Sequence, residues 1–147
     1  MRTTGQAAVG TVGLLLAAAV ATGGAGAKEG SVAAASPARL ALDLGEFHIT
    51  PSALSAPAGR VKISVVNTGK KAHEVLVVTS GKLPMKSRRV DEAALDRTHR
   101  LLGEIADIEP GRKGSKTFKL PKGSYTLFCN LPGHYAGGMK ATLVVGA

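Results

Sequence analysis

Cys129 is the single cysteine of the chain, and it opens the run C-N-L-P-G-H-Y-A-G-G-M, with His134 five residues on and Met139 five beyond that. A thiolate, an imidazole and a thioether so close together form a metal-ligating set. Copper suits it better than other first-row ions, because Cu(I) and Cu(II) accept sulfur and nitrogen together and tolerate a weak axial thioether. Structural zinc sites usually gather more cysteines and make little use of Met. A binuclear copper centre would need a second cysteine in the loop, and the chain has none. A nucleophilic cysteine prefers a helix N-terminus or a cationic site, whereas Cys129 closes a strand pattern.

A trigonal copper site wants a second histidine, and His48, His73 and His99 are the candidates beside His134. His73 opens H-E-V-L-V-V-T, where alternation sets His73, Val75 and Val77 on one strand face and Glu74, Leu76 and Val78 on the other. It can therefore point inward from a strand end. His48, in E-F-H-I-T, and His99, in the polar and helix-compatible D-R-T-H-R, lack such an apolar neighbourhood and read as surface residues. The expected set is His73, Cys129 and His134 in the plane with Met139 axial. Two competing readings are Met139 as a plain core residue and Met85 as a substitute axial ligand, although Met85 lies in a loop-like stretch and fits better as a gap filler or surface residue.

The elements that must position these residues are strands. R-L-A-L-D-L-G places Leu40, Leu42 and Leu44 on one face, with F-H-I-T continuing it or pairing with it before P-S-A-L-S-A-P-A-G breaks the run. R-V-K-I-S-V-V-N turns Val61, Ile63 and Val65 inward, and N-T-G leads to the His73 strand. E-I-A-D-I-E, S-K-T-F-K-L, S-Y-T-L-F-C and M-K-A-T-L-V-V follow, so that Cys129 ends one strand and Met139 begins the next. About seven short strands with Gly and Pro at the turns predict an all-β sandwich or small barrel. Residues 80–103 depart from this pattern: a loop leads into V-D-E-A-A-L-D-R-T-H-R-L-L. Val90, Ala94, Leu101 and Leu102 there suggest a short helix near residues 90–102, with Asp91 and Glu92 in its first turn.

The chain of 147 residues has room for one modest core. Its start is basic, then apolar, then small-residued, ending in A-G-A at Ala25–Ala27, which reads as an export signal over 1–27. The alternative is an uncleaved anchor, because no charge occurs from Thr3 to Ala27. Residues 28–38 read as a flexible linker, and 39–147 as the folded domain. The expected location is the periplasm or another extracytoplasmic space, with membrane association only if the first segment stays attached. An unpaired cysteine in an exported protein calls for a dedicated partner, and a metal supplies one.

Removing residues 1–27 takes away Arg2 alone, so 18 of the 19 Lys and Arg face 10 Asp and Glu, a net charge of +8. That balance favours acidic partners. The cations lack the interleaved aromatics of a single-strand nucleic-acid platform, so nucleic acid is not an expected partner. Lys70 and Lys71, close to His73, are candidates for a docking patch.

The segments Y-T-L-F-C-N-L-P-G-H-Y-A-G-G-M-K-A-T-L-V-V and V-N-T-G-K-K-A-H-E-V-L-V-V resemble the cupredoxins, the blue copper proteins that include plastocyanin, azurin, auracyanin and sulfocyanin. The ligand-loop spacing is similar to that of auracyanin-type bacterial members. The resemblance spans roughly Arg39 to Val145. It implies a Greek-key β-sandwich and one type 1 copper ion held by His73, Cys129, His134 and Met139. It also implies one-electron exchange with redox protein partners by a monomer that turns over no substrate. The alternative function is a copper-binding or copper-delivery protein of the cell envelope. Two features depart from the family's pattern. Glu74 stands where plastocyanins and azurins usually carry an Asn that ties the ligand loop, and the insertion at 80–103 is long enough to serve as a lid or partner surface.

Overall fold

The computed structural model describes residues 36–146. The export segment expected over 1–27 and the linker up to residue 35 lie outside the described residues. Seven long strands match the alternating runs: β1 (Ala38–Gly45), β4 (Gly59–Asn67), β5 (His73–Thr79), β8 (Leu101–Ile108), β9 (Lys113–Leu120), β10 (Gly123–Phe128) and β11 (Lys140–Gly146). Four short ones join them: β2 (His48–Pro51), β3 (Ser55–Pro57), β6 (Met85–Lys86) and β7 (Arg89–Val90). These pieces are too brief for a period of two to be legible. β2 pairs antiparallel with β1, and β3 runs parallel to the end of β11 inside the segment read as a break.

The strands form a four-stranded sheet in the order β2-β1-β4-β9 and a five-stranded sheet in the order β3-β11-β10-β5-β8. Between them lie the inward residues of both: Leu40, Leu42 and Leu44, Val61, Ile63 and Val65, then Val75, Val77, Leu127 and Leu143. This is an all-β sandwich, with aliphatic side chains filling a core that holds no Trp. Each Leu, Ile or Val removed from water there contributes roughly 1.5–3 kcal/mol.

The insertion carries a second core. Leu83, Val90 and Leu95 pack with Leu76, Val78 and Phe128, which belong to the outer face of β5 and β10. β5 is consequently buried on both faces, which explains why its run is apolar almost throughout. The insertion is a packed cover over that sheet, tied down by its own apolar residues.

Its helix is shorter than the sequence pattern implies. α1 covers Glu92–Arg97, with the Asp91 side chain accepting the Ala94 N–H at its start. It ends where His99 adopts φ 53°, while His99 N–H bonds to Asp96 O and Arg100 N–H to Leu95 O. That paired closure with a left-handed residue ends a helix, so Leu101 and Leu102 open β8, and Val90 belongs to β7. His99 is the exposed closing residue of this turn.

Candidate metal centre

Cys129 and His134 come from the loop between β10 and β11, and His73 from the first residue of β5. Their donor atoms all lie within 4.8 Å of one another. Cys129 Sγ stands 3.4 Å from His134 Nδ1 and 3.9 Å from His73 Nδ1. Donors sharing one ion at roughly 2.0–2.3 Å stand roughly 3.3–4.0 Å apart across tetrahedral and trigonal angles, so the spacings of the sulfur to both imidazoles fit a single metal. Met139 is fully buried immediately before β11. Its carbonyl accepts the Cys129 N–H at 3.1 Å and its own N–H bonds to His134 O at 3.0 Å, which closes the loop on itself.

Burial sets the protonation of this cluster. His73 is 1% exposed, and its pKa is lowered by desolvation and then by the neighbouring His134. Desolvation also lowers that of His134, helped by Lys71. Both rings therefore favour the neutral form that a metal ligand needs. Burial pushes the Cys129 thiol up, the opposite of what a free nucleophile requires. A metal cation in place of the proton removes that penalty.

Three further residues fix the ligands. Asn67, fully buried, donates through Nδ2 to Lys71 O and Ile108 O, each at 2.7 Å, and accepts the Gly69 N–H at 2.9 Å. It pins the turn that delivers His73. The Glu74 carboxylate accepts the Asn130 N–H at 3.1 Å, so the tie between the His73 strand and the ligand loop is made by this acid. The side chain of Asn130 then reaches the insertion: Oδ1 accepts Val90 N–H at 2.6 Å, and Nδ2 donates to Val90 O at 3.0 Å and Glu92 Oε1 at 2.6 Å. Arg88 O also accepts the Gly133 N–H at 2.8 Å. The insertion thus braces the loop that carries Cys129 and His134. Asn130 follows Cys129 directly in the chain, but no local pattern reveals its partners about forty residues away.

The remaining candidates lie elsewhere. His48 is exposed at the start of β2, and Met85, 47% exposed, sits in the β6–β7 hairpin. Lys70 and Lys71 are exposed, and both backbone N–H groups bind Glu46 Oε1, at 2.6 and 2.9 Å. Phe47 was not singled out by sequence. It is 52% exposed at φ 65°, with its ring edge-on to His134 at 5.5 Å.

A β-sandwich that gathers one cysteine, two imidazoles and a buried methionine at the end of its strands defines a single-copper protein of the blue copper type. Residues 38–146 match the family model of copper binding proteins, plastocyanin/azurin family, and the chain belongs to that family. Its cofactor is one type 1 copper ion. Auracyanin-B of Chloroflexus aurantiacus is 45% identical over 49 residues, 33% of this chain and 21% of the relative, so the match spans about a fifth of that protein's length. A solved structure of auracyanin B superposes with a TM-score of 0.61 at 28% identity, over 77% of this chain and 92% of that one. Rusticyanin from Thiobacillus ferrooxidans shares the fold, with a TM-score of 0.54 at 19% identity over 76% of this chain and 79% of that one. Among the described residues no helix is long and apolar enough to cross a membrane.

Proposed function

We propose that this protein is an exported carrier of single electrons, with copper held by His73 Nδ1, Cys129 Sγ and His134 Nδ1 and with Met139 as the axial ligand. Copper bound there supplies a one-electron couple. The chain's part is to keep the donors in place through the change of charge, and two strand ends braced by Asn67, Glu74 and Asn130 suit that task. The observation that carries the reading is the convergence of the three donors within 4.8 Å in a buried pocket, beside a buried methionine.

His134 is the partly exposed ligand, while His73 is buried, so electrons pass through the His134 edge. Exposed Phe47 beside it provides an apolar contact. Cations lie along the ligand loop: Lys71, whose charge is felt at His134, Arg88 against Gly133, and Lys140 over the Tyr135 ring at 4.7 Å. A redox protein with an acidic docking surface fits such a face. Residues 1–27 direct export to an extracytoplasmic space, and the linker that follows joins that segment to the domain, which Ala38 opens by pairing with Val61.

Visible and electron paramagnetic spectra of the copper-loaded protein, with a redox titration, test the reading. The expected result is an intense thiolate-to-copper band and a reversible one-electron couple, both lost in Cys129→Ser while the domain stays folded. Copper that binds without either property would identify a metal-delivery protein. Retention of the colour in the variant would remove Cys129 from the site.

A further inference from the structure

A histidine that offers Nδ1 to a metal keeps its proton on Nε2, and that N–H needs an acceptor if it is buried. Among the described residues, His73 Nε2 is the buried side-chain nitrogen or oxygen atom without a hydrogen-bond partner. It faces the carboxylate of Glu46, with Oε1 3.8 Å away. That same oxygen takes the N–H groups of Lys70 and Lys71, in the turn that leads into His73. The carboxylate is thereby anchored to the segment that carries the ligand, one short step from its unpaired ring nitrogen.

The backbone around Glu46 is shaped to present it. Glu46 and Phe47 form the turn between β1 and β2, and Phe47 holds φ 65°, a conformation unfavourable for a bulky side chain. The turn packs on the ligand loop: a side chain at Gly137 would collide with the Phe47 ring, and Phe47 O lies 3.4 Å from where a Cβ on Gly138 would stand. One turn therefore meets both histidines, Glu46 at His73 and Phe47 at His134. Local strain held by tertiary contacts at a site is a pointer to function.

We propose that Glu46 is a positioning residue for His73: its carboxylate, 3.8 Å from Nε2, closes that gap to accept a hydrogen bond from Nε2–H, favours the tautomer that leaves Nδ1 for copper, and through its charge favours the oxidised ion. This rests on the ligand assignment above. Copper in the oxidised state carries one more positive charge than in the reduced state, so a fixed anion behind a ligand lowers the reduction potential. The Glu46 side chain is 35% exposed, and solvent screening keeps the effect moderate.

Glu46→Gln separates the roles, because its amide oxygen can accept hydrogen bonds from Nε2–H and from the Lys70 and Lys71 N–H groups while the charge is gone. The blue spectrum should persist, with the one-electron equilibrium shifted toward the reduced protein by about threefold to tenfold; tenfold is about 59 mV for one electron. Glu46→Ala should raise the potential as well. In the Cu(I) form of the unaltered protein, nitrogen-15 NMR should show the His73 proton on Nε2, shielded from exchange; this readout needs no variant to fold. An unchanged potential in Glu46→Gln with a lowered unfolding midpoint would reduce Glu46 to a backbone tie and overturn the proposal. So would a freely exchanging Nε2 proton. Failure of the unaltered protein to show a blue spectrum would instead sink the ligand assignment itself.

Discussion

Replacing Asn130 with Ala should cost the copper-free domain about 2–5 kcal/mol, because its amide is the buried link between the ligand loop and the insertion. Asn130 is 1% exposed, and it satisfies both polar backbone groups of Val90, a residue itself 3% exposed. Removing the amide strands one N–H and weakens one C=O in a place water does not reach, at about 1–3 kcal/mol for each group left unpaired. The third bond, to Glu92, adds little, since that carboxylate is partly exposed and finds water. Against a total of about 5–15 kcal/mol for a domain, the loss is large, and at roughly 4 °C per kcal/mol a central value lowers Tm by roughly 14 °C. Urea unfolding followed by circular dichroism gives the free energy, and hydrogen exchange should show the Val90 amide losing protection before the β5 and β10 amides do. A variant within about 1 kcal/mol of the parent would refute the claim that the insertion is fastened through Asn130, since even one stranded group costs that much.

Met139→Leu should keep a coloured site and raise its reduction potential, because loss of an axial thioether removes a donor that favours the more charged ion; loss of copper altogether in a metal-binding assay would contradict an axial role. Glu74→Gln bears on pH. Burial, and then the charge of Glu92, raise the Glu74 pKa above its ordinary 4.5, so its contribution to stability is present below pH 4.5 and lost as pH rises through the raised folded value. The copper-free variant should therefore be more stable than the parent at pH 7, with the gap closing below pH 4.5. Urea unfolding at both pH values checks this; a constant gap would show that the Asn130 tie cancels desolvation, and a variant that loses stability relative to the parent as pH rises would show that the tie outweighs it.

The alternating runs located the seven long strands because half-buried strands must repeat every second residue. They fared worse where burial is two-sided or the element is short. β5 reads as a one-sided strand with Glu74, Leu76 and Val78 facing away from the core, yet Leu76 and Val78 are fully buried under the insertion. Leu101 and Leu102 are consistent with a helical face on spacing alone, and it is the closure at His99 that hands them to β8. Glu74 departs from the family's usual Asn, and the tie it makes to Asn130 N–H appears only when the two loops are folded together.

By itself the sequence determined the chemistry of the centre. One cysteine, His134 and Met139 lie in a single loop, and covalent spacing keeps them near each other whatever the rest of the chain does. It also singled out His73, since a histidine heading an apolar alternation points inward. Tertiary structure alone decided what surrounds those donors. Glu46 reaches His73 from a turn 27 residues earlier, Phe47 edges His134, and the insertion closes over β5 and braces Asn130. Such contacts join segments far apart in the chain, where burial and the satisfaction of polar groups select partners that no local periodicity encodes.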